Sequence, residues 1–197
     1  MKTITYFAGA RSGVNPEYER AALEVGRFCG RYNCTAKYGG SAYGLMGAFA
    51  KGVIEAAKET GSGAKMFGVT PRKFAKINQP ESLGIEFALT ETLTERKALL
   101  LEKADAFLVL PGGTGTLDEI YEVTEQDYLP VDRDPSYTDY SIRPIYILNM
   151  NGYYDATIQQ FQRMMDEGFL IPPKIAAVHF YDTVEDYLKA LERFFEQ

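Results

Sequence analysis

The chain has one histidine, His179, no tryptophan, and only two cysteines, Cys29 and Cys34. A lone histidine excludes zinc sites built on two or three imidazoles within one chain, and a Ser-His-Asp triad would have to use that one ring. Cys29 and Cys34 are separated by four residues, which is neither redox nor zinc-ribbon spacing, and no second pair completes a four-thiolate site. They read as reduced thiols of a cytosolic protein. Positive charge is in deficit as well: 21 Lys and Arg against 27 Asp and Glu leave a net charge of −6. That balance gives no global reason to bind nucleic acid or an anionic membrane. Long apolar runs are missing, since nothing approaches the ~18 residues that span a bilayer. The start, Met1 to Ala8 followed at once by Gly9 and Arg11, is too short and polar for a secretory signal. A cytoplasmic location is expected.

What is present is a chain of 197 residues, 46% hydrophobic and 24% charged. That is the length of one domain, with enough apolar residues for a sizeable core. Strand-like and helix-like segments alternate throughout. Short β-rich runs are expected at Thr3–Ala8, Thr35–Tyr38, Lys65–Val69 (ended by Pro71), Ile85–Leu89, Ala106–Leu110, Ile145–Leu148 and Ala176–Phe180. Helical spacing is expected over Pro16–Gly30, Gly44–Thr60, Leu93–Lys103, Gly115–Tyr128, Thr157–Glu167 and Thr183–Phe195. This alternation predicts an α/β fold, a Rossmann-like doubly wound parallel sheet in a single domain. The one long connection, Leu129–Pro144, holds Pro130, Pro135 and Pro144 and reads as an inserted loop, either a lid or a floppy insertion.

Ligands of such sheets sit outside the carboxyl ends of the strands. Glycine marks several of those ends: Gly9 to Gly13, Gly39-Gly40 to Gly47, and Gly112-Gly113-Thr114-Gly115. In the last, glycines let the backbone approach an anion, and a helix starting near Thr116 would aim free N–H groups and its positive dipole end at it. Thr114 and Thr116 add hydroxyls. A Walker loop is absent, and Asp118 stands where a dinucleotide fingerprint needs a third small residue, so one phosphate suits the turn better than two. Against this, strand-to-helix turns favour Gly and Thr in any case, and Thr116-x-x-Glu119 and Thr92-x-x-Glu95 both have the form of a capping box. On that reading Arg96 is a surface charge.

Taken together, Pro111-Gly112-Gly113-Thr114-Gly115-Thr116-Leu117-Asp118-Glu119, the upstream Arg96-Lys97, and Tyr38-Gly39-Gly40-Ser41-Ala42-Tyr43-Gly44-Leu45-Met46-Gly47 resemble the motifs of the Lonely guy (LOG) family of cytokinin riboside 5′-monophosphate phosphoribohydrolases, often labelled lysine decarboxylases. Asn151 to Asp155 and Glu167-Gly168-Phe169 are similar to that family too, and the resemblance runs from Ile4 to about Tyr187. It implies a Rossmann-like homodimer that hydrolyses the N-glycosidic bond of AMP or N6-substituted AMP to free base and ribose 5-phosphate, with no metal or organic cofactor. By position it implies Arg96 and Glu119 as the catalytic pair. Gly40, Lys97, Gly112, Gly113, Thr114, Gly115, Thr116, Asp118 and Thr124 would contact the substrate and its phosphate. The chain departs from the family pattern at Leu93 (usually Met), at Ala8-Gly9-Ala10 (usually Cys-Gly-Ser), at Asn78 (often Glu) and in the longer Leu129–Pro144, which bears on base preference more than on chemistry. Two other readings stand beside it. A non-catalytic nucleotide-binding or sensing protein would have no need of Arg96 and Glu119 at that spacing. A pyridoxal-phosphate decarboxylase needs a Schiff-base lysine on a much larger scaffold. His179, distant in sequence from every glycine turn, is expected to be structural.

Overall fold

In the computed structural model the described residues are 1–126 and 143–197. Seven parallel strands form one sheet in the order β4-β3-β2-β1-β5-β6-β7. They are β1 (Lys2–Phe7), β2 (Cys34–Tyr38), β3 (Lys65–Pro71), β4 (Glu86–Thr90), β5 (Ala106–Val109), β6 (Ile145–Leu148) and β7 (Val178–Tyr181). The helices are α1 (Pro16–Cys29), α2 (Gly44–Thr60), α3 (Ala75–Asn78), α4 (Leu93–Leu101), α5 (Thr114–Gln126), α6 (Asp155–Asp166) and α7 (Val184–Glu196).

Period-two alternation sorts the strand side chains between two cores. Ile4, Tyr6, Ala106, Leu108 and Leu148 face α1, α2 and α7, where they meet Val25, Phe49, Val53 and Leu191. Phe7, Phe107, Val109, Ile145 and Ile147 face α4, α5 and α6, where they meet Leu100, Ile120, Val123 and Phe161. All four residues of β5 are buried, as the apolar run at its position requires of a strand covered on both faces. His179 lies in β7 opposite Tyr146 of β6, away from the glycine turns.

The chain winds outward from β1 to β4 and then returns to place β5 on the other side of β1. The turns after β1 and β5 therefore diverge to opposite faces and leave a crevice, the usual ligand position in such sheets. Several details differ from the expected pattern. Strand β3 runs past Val69 to Pro71, which ends it as expected but lies within it, in register with Thr90; at the end of a ladder the missing N–H is tolerated. Between Arg72 and Leu83 a 3₁₀ turn, the four-residue α3 and a second 3₁₀ turn occupy what sequence left unassigned. The helix expected from Gly115 starts at Thr114. The inserted loop expected at 129–144 lies almost wholly outside the described residues. No described helix is long and apolar enough to cross a membrane.

Candidate active site

A cavity of about 620 Å³ opens at the crevice, a volume in the normal range for small-molecule sites. The turn after β1 (Gly9 to Gly13), the turn after β2 (Gly39, Ser41), the α3 region (Phe74, Asn78), Arg96, Pro111 to Thr116, Glu119 and Tyr153 all contribute to its wall.

The α5 end of the cavity is built by holding successive carbonyls in place. Tyr154 Oη donates to Leu110 O (2.8 Å), Gly9 N donates to Pro111 O (3.0 Å), and Tyr153 Oη donates to Gly112 O (2.5 Å). Tyr154 is in turn fixed by Asn149, whose buried Oδ1 accepts from Tyr154 N (2.6 Å) while Nδ2 donates to Asp155 and Asp182. Gly112 has to be glycine: a Cβ there would press on Thr116 Oγ1 and on Gly9 N. Gly113 and Gly115, by contrast, face open space. Gly113 O accepts from Thr116 N (3.0 Å) and Leu117 N (3.2 Å), which makes Gly113 the cap of α5. The N–H groups of Gly113, Thr114 and Gly115 precede the first intrahelical bonds and have no intrahelical acceptor. The result is a glycine-lined cradle of N–H donors at a helix N-terminus, the arrangement that binds anions.

Thr116 therefore does not cap α5, and Glu119 does not reach back to it. Instead Glu119 Oε1 accepts from Arg96 Nη1 at 3.0 Å, with side-chain exposures of 4% for Glu119 and 12% for Arg96. Arg96 is also anchored by Nε donating to Val69 O (3.2 Å). Its helix starts as the sequence suggests, with Thr92 Oγ1 accepting from Glu95 N (3.1 Å); Glu95 bonds Glu91 N, one residue before the cap. Gly39, in the glycine turn after β2, is a further requirement not counted among the expected site residues, because a Cβ on it would occupy the space of Arg96 Nη2 and lie 2.9 Å from Met46 Sδ. Arg96 is thus a fixed, partly desolvated cation over the end of β2 and β3, not a surface charge.

Burial pushes the Glu119 carboxyl up to about 7, even though Arg96 pulls it down by charge and hydrogen bond; Asp118 adds a small push upward and Lys97 a small pull downward. A carboxyl poised near neutrality in a cleft is the signature of acid–base or cation-stabilising work.

Of the residues expected at the site, Arg96, Gly112, Gly113, Thr114, Gly115, Thr116 and Glu119 line the cavity together. Gly40, Lys97, Asp118 and Thr124 do not. Lys97 Nζ bridges Asp118 (3.1 Å) and Glu122 (3.0 Å), tying α4 to α5 beside the site. Thr124 Oγ1 is buried and donates to Tyr121 O (2.8 Å). Gly40, at φ 75°, packs its backbone on Val69 and Thr70 and turns the chain between Gly39 and Ser41, which do reach the cavity. Arg11, Tyr18, Asn78 and Tyr153 line it without having been singled out as site residues. The glycine turn at Gly9–Gly13 pointed towards Arg11, and the family resemblance touched Asn78 and the segment Asn151 to Asp155 that holds Tyr153. No cluster of metal-ligating side chains occurs among the described residues.

A family sequence profile described as "Possible lysine decarboxylase" matches residues 46–191. Among curated proteins, the chain is 31% identical over 191 residues to a cytokinin riboside 5′-monophosphate phosphoribohydrolase of Rhodococcoides fascians, covering 96% of this chain and 89% of that one. It is 30% identical over 195 residues to the LOG7 cytokinin riboside 5′-monophosphate phosphoribohydrolase of Arabidopsis thaliana, covering 98% and 82% respectively. Among solved structures, the molybdenum cofactor carrier protein of Chlamydomonas reinhardtii superposes with a TM-score of 0.68 over 100% of this chain and 99% of that one, at 16% identity. At that identity the likeness speaks to the fold alone. Profile and relatives agree with the motifs around Arg96 and Glu119: the chain belongs to the LOG family, that of the cytokinin riboside 5′-monophosphate phosphoribohydrolases.

Proposed function

We propose that the protein hydrolyses the N-glycosidic bond of adenosine 5′-monophosphate or an N6-substituted AMP, releasing the free base and ribose 5-phosphate without metal or organic cofactor. The observation that carries this reading is the Arg96–Glu119 pair, buried in one cavity with an open N–H cradle at the start of α5. The named activity of relatives that match nearly the whole chain supports it.

The 5′-phosphate sits in the cradle formed by Gly112, Gly113, Thr114, Gly115 and Thr116. That anchor delivers C1′ to Glu119, just over one helical turn further along α5, so binding energy from the phosphate orients the reacting centre. The C1′–N9 bond lengthens first and the ribose gains oxocarbenium character, as in other glycoside hydrolyses. Ionised Glu119 stabilises that cation and accepts a proton from the attacking water, whose oxygen bonds to C1′. Arg96 keeps its protons, its pKa being above about 12. It stabilises the electron pair left on the purine, which takes up the proton held by Glu119 as it departs. The balance is AMP plus water to base plus ribose 5-phosphate. Lys97, Asp118 and Thr124 support this centre from α4 and α5, and Gly40 from the turn after β2.

We further propose a cytoplasmic homodimer. The free, buried Cys29 and Cys34 suit a reducing compartment. Edge strand β4 exposes Phe87 and Leu89, apolar side chains that a second copy would cover. Incubation with AMP, N6-isopentenyl-AMP, IMP, GMP and adenosine side by side tests the substrate class. Adenine and isopentenyladenine are the expected products, and adenosine should be far poorer than AMP. Equal turnover of AMP and adenosine would remove the phosphate anchor from the account.

A further inference from the structure

A 5′-phosphate brings about two negative charges into a protein whose own net charge is −6. Among the described residues two cations line the cavity, Arg96 and Arg11. Arg96 is committed to Glu119 and to Val69 O. Arg11 has no carboxylate partner among the described residues and is exposed at the cavity wall. Its backbone is fixed beside the α5 cradle. The position a Cβ would take on Gly9 lies 3.0 Å from Arg11 O, 3.5 Å from Pro111 O and 3.6 Å from Gly112 Cα. Gly9 is bound to the same turn through its N–H to Pro111 O (3.0 Å), and its carbonyl accepts from Leu45 N (3.1 Å). The Arg11 backbone is therefore hemmed in by the turns after β1 and β5 and by the start of α2. Its side chain borders the cavity shared with Gly112 to Thr116.

Of the helix N-termini around the cavity, those of α1 and α2 are already engaged. Asn15 Oδ1 accepts from Glu17 N at α1, and Gly9 O takes Leu45 N and Met46 N at α2. The N-terminus of α5 presents open donors, but backbone N–H groups supply partial charge alone. Lys97, beside Arg96 in the motif, is held by Asp118 and Glu122 outside the cavity.

We infer that Arg11 is the phosphate-binding cation of this site, closing over the 5′-phosphate held by the α5 N-terminus. The inference rests on the reading that the cavity takes a nucleoside 5′-monophosphate. A planar guanidinium can engage two phosphate oxygens at once, and a lysine cannot reproduce that geometry. Because Arg11 is exposed, its contribution is screened by salt, unlike that of the buried Arg96–Glu119 pair.

The test compares wild type, Arg11→Ala and Arg11→Lys on AMP and adenosine, together with direct calorimetric binding of ribose 5-phosphate. Arg11→Ala should lower the ratio of kcat/KM for AMP to that for adenosine about 30-fold, the scale of one charge-assisted hydrogen-bonded contact, with the loss in KM rather than kcat. Ribose 5-phosphate affinity should fall by a similar factor, Arg11→Lys should recover part of it, and the wild-type KM for AMP should rise with salt more steeply than that of Arg11→Ala. An unchanged ratio and unchanged ribose 5-phosphate affinity in Arg11→Ala would overturn the inference. So would an equal fall for AMP and adenosine, which would make Arg11 a structural residue. A wild-type protein that binds ribose 5-phosphate through Arg11 but cleaves no AMP would leave this inference standing and sink the proposed reaction instead.

Discussion

Glu119 should weaken the protein that uses it, and the cost is measurable. Its carboxyl titrates near 7 in the folded chain against 4.5 for an unperturbed glutamate, because burial outweighs the pull of Arg96. The folded state thus holds a proton that the unfolded chain has released, between pH 4.5 and about 7. Stability consequently falls as pH rises through that window and is constant, as far as this group is concerned, above and below it. At about 1.4 kcal/mol per pH unit, the loss at pH 8 is about 3 kcal/mol. Glu119→Gln keeps the shape and behaves as a carboxyl that never ionises. Its unfolding free energy should match wild type near pH 4 and exceed it by about 3 kcal/mol at pH 8, or roughly 9 °C in Tm for a chain of this size. The value near 7 already includes the attraction of Arg96, so loss of that partner is counted. Urea unfolding of both proteins at pH 5, 6.5 and 8 reads the difference directly. A variant no more stable than wild type at pH 8 would mean that the ion pair outweighs burial, and Glu119 would then have to titrate well below neutrality.

The same group sets the pH dependence of turnover: kcat/KM for AMP should rise with pH, with a midpoint near 7, as Glu119 ionises, and a profile flat from pH 5 to 8 would contradict its role as a carboxylate. Gly39→Ala places a methyl where Arg96 Nη2 lies, so kcat should fall about 100-fold, the usual cost of losing one aligned charge-stabilising group. A variant of normal activity would show that Arg96 need not stay where it is. Tyr153→Phe keeps the ring against Tyr18 (5.8 Å, near-perpendicular) and removes the bond to Gly112 O. It should cost about 1 kcal/mol in stability and raise the KM for AMP several-fold; unchanged KM would show that the cradle needs no such support.

Much of this was legible in the residues, for reasons that differ from element to element. The helix Gly44–Thr60 matches its expected bounds because Gly44 and Gly61 mark its two ends, and the strand Ile145–Leu148 because Pro144 precedes its apolar run and the polar Asn149 follows it. The region 72–83 was not, since a four-residue helix between 3₁₀ turns is too short to show periodicity. At α5 the hydroxyl of Thr116 suggested a cap, yet the carbonyl of Gly113 does that work and frees Glu119 for Arg96. Backbone capping leaves no mark on side-chain pattern. Arg96 and Glu119 lie 23 residues apart and meet only because α4 and α5 pack on the same sheet face, so only the combined motifs pointed to the pair. Gly39, Arg11 and Tyr153 act through tertiary contacts that no local spacing encodes.

The central claim is cleavage by Arg96 and Glu119 at a phosphate-anchored C1′, and one paired measurement tests it most directly. Purified wild type and Glu119→Ala are each incubated with AMP while adenine and ribose 5-phosphate are quantified, and AMP binding to Glu119→Ala is measured by calorimetry. The account predicts equimolar adenine and ribose 5-phosphate from wild type, and no detectable product from a variant that still binds AMP. Intact AMP recovered from wild type, with N6-isopentenyl-AMP equally untouched, would contradict it.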